Sequence, residues 1–318
     1  MDKIVVLDAA TLSDDIAFRP PAFEHEWVSY SQTKAEQVLK RAIDANYLIT
    51  NKVVLDKNTL SQLPSLKHVA IAATGTNCVD LDAAKALGVG VSNVPGYGTT
   101  SVAEHVFSMI LGIRRALLPY QYDISKGKWQ AAEQFCFYSQ RISDISGSIL
   151  GIIGTGAIAL ELAKLAEAFN MKVLFHSVSG RKSLENHTLV GLTELLRRAD
   201  VVSIHCPLTE SSTGLINEDT LGIMKKDALL INTARGSIVD LDALYKTLVS
   251  ERLAGAGIDV APQEPPEINA PIMRLNNLTN CIVTPHTAWA SQQARARLVE
   301  TIIQNIEASH ANISMNLV

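Results

Sequence analysis

The sequence predicts an α/β protein made of two doubly wound parallel-sheet domains, and three observations predict it. Short β-branched runs alternate with helix-period segments from end to end. A length of 318 residues exceeds one ordinary core and suits two. A cluster of breakers, Asn93-Val94-Pro95-Gly96-Tyr97-Gly98, divides the pattern into two series and reads as a linker.

In the first series, Lys3 to Asp8 reads as a strand. Thr33-Lys34-Ala35-Glu36 has the form of a capping box and predicts a helix to about Ala45. Strands follow at Tyr47–Thr50 and His68–Ala72, then a helix begun by Asp80 and stopped by Gly88. Val89–Ser92 closes the unit. After the breakers, Ser101-Val102-Ala103-Glu104 is a second capping box opening a helix of about twenty residues. An irregular stretch from Lys128 to Arg141 precedes six strands, near 149–153, 172–176, 201–204, 228–232, 256–260 and 281–283. From Ser291 the chain reads as an amphipathic helix. The expected division is 1–96 with 288–318 as one domain and 97–287 as the other.

Composition narrows the function. Hydrophobic residues make up 47% and charged ones 19%, which suits a packed globular chain. A formal charge of −4, without a basic cluster, argues against a nucleic-acid partner. Cys78, Cys136, Cys206 and Cys281 stand far apart with no CxxC, so neither zinc nor any other metal is expected. The longest apolar stretch, Ile149 to Leu160, is broken by three glycines and is too short for a bilayer. The N-terminus enters a strand pattern without a secretory leader. A cytoplasmic protein with reduced thiols and no membrane partner is therefore expected.

The first chemistry-bearing signal is Gly151-Ile152-Ile153-Gly154-Thr155-Gly156-Ala157-Ile158-Ala159, set between an apolar strand and a helical run. Gly154 permits the tight turn, Gly156 leaves room for a pyrophosphate, and Ala159 fills the third position of the fingerprint. The amides and dipole of the following helix supply an anion site. Such a loop predicts a Rossmann-type dinucleotide domain.

The second signal is an absence. A dinucleotide site for NAD usually places Asp or Glu at the end of the next strand, where it accepts from the ribose diol. Here that end reads Phe175-His176-Ser177-Val178-Ser179-Gly180-Arg181. The hydroxyls and Arg181 suit a 2′-phosphate, so NADP(H) is the expected cofactor with NAD(H) accepted. A solvated basic loop that tolerates either cofactor is the plainer reading of the same residues.

The third signal is a set of ionisable residues that each follow a strand: Arg235 after Ala228–Ile231, Asp259 and Glu264 after Gly257-Ile258, and His286 after Cys281–Val283. Ligands of open α/β sheets bind beyond the carboxyl ends of strands, where these residues stand. Arg235 offers a fork for a carboxylate, His286 a proton near neutral pH, and Glu264 an anion that orients and charges the imidazole. Taken singly, a surface Arg, an exposed Glu and a loop His are ordinary; all three in order at strand ends are not.

With Ala73-Thr74-Gly75-Thr76-Asn77, His205-Cys206-Pro207-Leu208-Thr209, Asn232–Gly236, Gly257–Val260, Glu264-Pro265 and Pro285–Trp289, the chain resembles the D-2-hydroxyacid dehydrogenases along essentially its whole length. It most resembles the glycerate dehydrogenase and hydroxypyruvate reductase branch. The resemblance implies a Rossmann-type cofactor domain inserted in a flavodoxin-like substrate domain. It implies Arg235, Glu264 and His286 as the catalytic triad, with Thr74 and Gly75 sharing the substrate carboxylate with Arg235. Gly154, Thr155, Gly156, Ala157 and Ile158 would wrap the pyrophosphate, and Cys206 and Pro207 would border the adenosine. His176 reads either as a contact to the adenosine end of the cofactor or as none. Thr233, Ala234 and Asp259 would lie along the nicotinamide, with Asp259 meeting its carboxamide. A homodimer paired through about Ser101 to Arg141 is implied. So is a small 2-keto or D-2-hydroxy acid substrate, hydroxypyruvate/D-glycerate or glyoxylate/glycolate. A D-lactate-type reductase and a dinucleotide-binding corepressor of the same fold are the alternatives. His105 and His205 read as structural.

Overall fold

The computed structural model describes residues 1–12 and 15–318. The chain forms two compact units, Met1–Gly98 with Ala290–Val318, and Thr99–Trp289. In the first unit, strands β1 (Asp2–Val6), β2 (His25–Ser29), β3 (Tyr47–Thr50), β4 (His68–Ile71) and β5 (Gly90–Ser92) pair in parallel in the order β2-β1-β3-β4-β5. This is the flavodoxin-like order. Every residue of β3 and β4 is buried, as expected of strands covered on both faces. Short helices α1 (Val38–Ala42), α2 (Lys57–Leu60) and α3 (Leu81–Ala86) connect them.

Strand β2 stands outside the pattern read from the sequence: it has no apolar run, because as an edge strand it is only half covered, and its pairing with β1 makes it a strand. The start of the next helix also differs. Thr33 does not cap the next helix: its hydroxyl donates to the Leu7 carbonyl at 2.5 Å. The Gln37 side chain accepts from the Lys34 amide instead, and a 3-10 turn precedes α1, which ends at Ala42. Asp80 caps α3 as expected, accepting from the Ala83 amide at 2.9 Å.

The second unit holds α4 (Thr99–Arg114), α5 (Leu117–Ser125), β6 (Ile149–Ile153), α6 (Ala157–Ala168), β7 (Lys172–His176), β8 (Thr188–Leu189) and α7 (Leu192–Arg198). It continues through β9 (Val201–Ile204), α8 (Glu218–Ile223), β10 (Leu229–Asn232), α9 (Leu241–Val249), β11 (Gly255–Ile258), α10 (Pro271–Leu275) and β12 (Cys281–Val283). Its parallel sheet runs β12-β11-β10-β9-β6-β7-β8. Counted within the unit, that is the Rossmann order with one added strand, and the order reverses between β6 and β9. Ser101 lies inside the first turn of α4 rather than ahead of it, and donates to the Ala288 carbonyl at 2.7 Å.

Helix α11 (Gln292–His310) returns to the first unit, where Ser291 caps it and Leu298, Val299, Ile302, Ile303 and Ile306 form its buried face. Beyond it the tail pairs with the end of β5, the Val318 amide donating to Val91 at 3.0 Å. Among the described residues no helix is long and apolar enough to cross a membrane, no cluster of side chains suits a metal ion, and the cysteines are free.

Candidate active site

The turn from β6 into α6 is shaped by close approach. At Gly154, with φ of 121°, a Cβ would lie 2.3 Å from the His205 carbonyl oxygen, so only glycine fits. Two residues on, Gly156 precedes α6 and a Cβ there would meet nothing within 4 Å. One glycine seats the loop and the other opens it over the first amides of the helix, around Thr155, Ala157 and Ile158. A pyrophosphate fits this cradle. Cys206 is buried in the core behind it, burial pushing its thiol up to about 11, whereas Pro207 is exposed. His205 is held 2.8 Å from the Ser203 hydroxyl, and burial pushes its imidazole down to about 4, which fits a structural role.

At the end of β7, His176 Nδ1 lies 3.1 Å from the Val190 carbonyl oxygen. The Ser177 hydroxyl accepts from the Arg181 amide at 2.8 Å and lies 3.4 Å from the Ser179 hydroxyl, closing a turn. Arg181 is exposed and, among the described residues, pairs with no carboxylate. It borders a cleft of about 530 Å³ with Leu160, Lys182, Ser183, Leu184, Glu185 and Asn186.

Past β10, the buried Asn232 ties the next turn: its Oδ1 accepts from the Ala234 amide and its Nδ2 donates to the Arg235 carbonyl, both at 3.0 Å. Arg235 therefore leaves the carboxyl end of β10 on a fixed backbone. Its Nη1 donates to Ala234 at 2.7 Å, and no carboxylate among the described residues pairs with it. The Thr233 hydroxyl beside it is buried and, among the described residues, has no partner; a nicotinamide carboxamide would satisfy it. At Gly236 a Cβ would lie 2.0 Å from the Ala261 carbonyl carbon, so glycine lets this turn touch the loop that leads to Glu264.

Asp259, past β11, is 1% exposed and braces the loop after β12. Its Oδ1 accepts from the Thr284 hydroxyl at 2.5 Å and the Thr287 amide at 2.9 Å, and its Oδ2 from the Ala288 amide at 3.0 Å. Its carbonyl also takes the His286 amide at 2.7 Å. These bonds hold His286 at φ of 56°, an uncommon backbone for a residue with a side chain. His105 Nε2 completes the bracing, 3.0 Å from the Thr284 hydroxyl.

The result is a paired imidazole. Glu264 accepts the Ala261 amide on Oε1 at 2.8 Å and places Oε2 2.6 Å from His286 Nδ1. The side chains are 33% and 27% exposed, enclosed yet open on one side. With Nδ1 committed to the carboxylate, Nε2 is left to exchange a proton. Three members of this site carried no role in the sequence reading: Asn232, Gly236 and Thr284. The only signal for the first was an Asn ending an otherwise apolar strand.

Thr74 and Gly75 follow β4 in the other unit. Thr74 donates its hydroxyl to the Val94 carbonyl and accepts the Asn93 side-chain amide on its own carbonyl, both at 2.8 Å. Among the described residues the Gly75 and Thr76 amides donate to no protein acceptor.

Residues 107–288 match the family model for the NAD-binding domain of D-isomer specific 2-hydroxyacid dehydrogenases. The chain is 42% identical over 317 residues to the glycerate dehydrogenase of Methylorubrum extorquens, covering 99% of this chain and 98% of that one. It is 33% identical over 322 residues to the hydroxypyruvate reductase of Blautia hydrogenotrophica, covering 99% of each. Among solved structures, the NADPH-dependent glyoxylate/hydroxypyruvate reductase of Sinorhizobium meliloti, in complex with citrate, superposes with a TM-score of 0.84. That match has 26% identity and covers 100% of this chain and 98% of the other.

Proposed function

The chain belongs to the D-isomer specific 2-hydroxyacid dehydrogenases, NAD(P)-dependent enzymes acting on CH–OH groups, and we propose that it interconverts hydroxypyruvate with D-glycerate and glyoxylate with glycolate. The observation that carries this reading is the His286–Glu264 pair at 2.6 Å, on loops adjoining that of Arg235, which pairs with no acid among the described residues. The cofactor, a nicotinamide dinucleotide, supplies or takes the hydride.

The chain's residues do the rest. In the reductive direction Arg235 binds the keto acid's carboxylate through two guanidinium N–H groups, and the Thr74–Gly75 backbone shares that carboxylate. His286 donates the Nε2 proton to the carbonyl oxygen as carbon receives the hydride, so that C=O becomes CH–OH. Glu264 keeps the ring oriented, with Nδ1 committed to its carboxylate, and the proton returns to Nε2 from solvent. Thr155 to Ile158 hold the pyrophosphate, with Cys206, Pro207 and His176 near the adenosine. Thr233 and Ala234 border the nicotinamide, which Asp259 serves through the loop it braces.

The turn at Ser177 and Arg181 supports a preference for NADP(H), with NAD(H) still accepted. Exposed Leu117, Leu118, Tyr122, Phe135 and Tyr138 support pairing with a second copy of the chain, since so large an apolar surface favours burial. Free thiols and the acidic balance support a cytoplasmic enzyme without a nucleic-acid partner.

Initial rates for hydroxypyruvate, glyoxylate and pyruvate, each with NADH and with NADPH, test the substrate and cofactor assignments together. Faster turnover of pyruvate than of hydroxypyruvate would overturn the substrate reading, and sedimentation of the chain tests the dimer.

A further inference from the structure

Helix α11 buries one polar side chain within an apolar face. Asn305 is 1% exposed and stands beside the buried Ile302 and Ile306. An amide placed there costs stability unless its hydrogen bonds are made. They are made, and they lead in one direction. Asn305 Nδ2 donates to the Asn93 carbonyl at 2.9 Å, and its Oδ1 accepts from Asn316 Nδ2 at 2.9 Å. The Asn316 carbonyl in turn accepts the Asn93 amide at 3.2 Å.

Asn93 is thus held by both backbone groups, which leaves its side chain to act as a fixed arm. That arm donates to the Thr74 carbonyl at 2.8 Å. A trans peptide group is planar, with its carbonyl and the next N–H pointing to opposite sides. Anchoring the Thr74 oxygen therefore aims the Gly75 N–H away from Asn93. This N–H is one of those that donate to no protein acceptor among the described residues.

We propose that Asn305 is a positioning residue for the substrate: acting through Asn93, it sets the direction of the Gly75 amide that takes the keto acid's carboxylate. This rests on the assignment of Thr74 and Gly75 made above. The tail contributes to the same function, because Asn316 secures the second half of the Asn305 amide. A network whose members are all satisfied suits this task, since it holds one arrangement and resists others.

The test is steady-state kinetics of the full-length enzyme with the keto acid it turns over fastest, at saturating cofactor. Asn305→Leu keeps the volume and the apolar face but removes both bonds. It should raise the KM for the keto acid about five- to tenfold, the scale of one lost orienting hydrogen bond, with kcat and the cofactor KM within about twofold. Amide exchange at Gly75 should quicken in the same variant. A purely structural role would lower Tm without moving the keto-acid KM. Should Asn305→Leu not fold, Asn316→Ala on the tail reads the same relay, with a KM rise of about twofold expected.

Asn93→Ala separates the two ways of failing. If it raises the KM while the α11 and tail variants do not, the loop assignment stands and the role of Asn305 is overturned. If none of the variants moves the KM, the loop does not hold the substrate, and both are overturned.

Discussion

His286 Nδ1 lies 2.6 Å from Oε2 of Glu264, across a gap of 22 residues in sequence. A carboxylate at that distance fixes the ring and commits Nδ1, leaving Nε2 to exchange the proton. Glu264→Gln keeps an acceptor but loses the charge-assisted bond, and Glu264→Ala loses both. kcat for reduction should fall about tenfold in the first variant and further in the second, with the cofactor KM within about twofold. A wild-type kcat in both variants would mean that Glu264 does not position the donor.

Arg235 leaves the carboxyl end of β10 with its own backbone tied by Asn232 and, among the described residues, no acid paired with it. Each charge-assisted hydrogen bond to the substrate carboxylate is worth about 1.5–3 kcal/mol. Arg235→Ala should therefore lower kcat/KM for hydroxypyruvate about a hundredfold or more. Retention of most activity would remove Arg235 from the substrate's contacts.

Gly236 lets the Arg235 turn touch the loop leading to Glu264, and a Cβ there would sit 2.0 Å from the Ala261 carbonyl carbon. Because that obstacle is backbone, one of the loops must shift. Gly236→Ala should lower kcat by about tenfold or more, since catalytic groups displaced by about 1 Å lose rate steeply. Kinetics close to wild type would show that the two loops work independently.

The proposed preference for NADPH rests on the Ser177–Arg181 turn. Arg181→Ala should raise the KM for NADPH and leave that for NADH nearly unchanged, because only NADPH carries the 2′-phosphate. Ser177→Asp should reverse the preference by binding the ribose diol and repelling the phosphate. Equal weakening of both cofactors by Arg181→Ala would place the side chain elsewhere on the dinucleotide.

His68 gives the fold an acid limit. It is 2% exposed, bonded to the Ser92 hydroxyl at 2.8 Å, and burial pushes its imidazole down to about 4 from an ordinary value of 6.5. The unfolded chain binds this proton first, so the neutral ring's contribution is complete above about pH 6.5 and falls away towards pH 4. The loss amounts to about 3 kcal/mol across that window. Urea unfolding of the wild type and His68→Gln should show a stability gap that narrows as pH falls; parallel curves would mean that His68 does not titrate on unfolding.

The two parallel-sheet series, the glycine loop and the order of Arg235, Glu264 and His286 were legible in the residues, because each depends on local periodicity, turn chemistry or position after an apolar strand. Strand β2 and the first turns of α1 and α4 were not. There Thr33 and Ser101 spend their hydroxyls on Leu7 and Ala288, partners far away in the chain. Only the tertiary structure showed that Asp259 braces the His286 loop, that Asn232 fixes Arg235, and that a buried Asn305 reaches Asn93 from 212 residues away. A polar side chain's partner is set by where the chain brings a second polar group within about 3 Å. No pattern of neighbours along the sequence carries that distance.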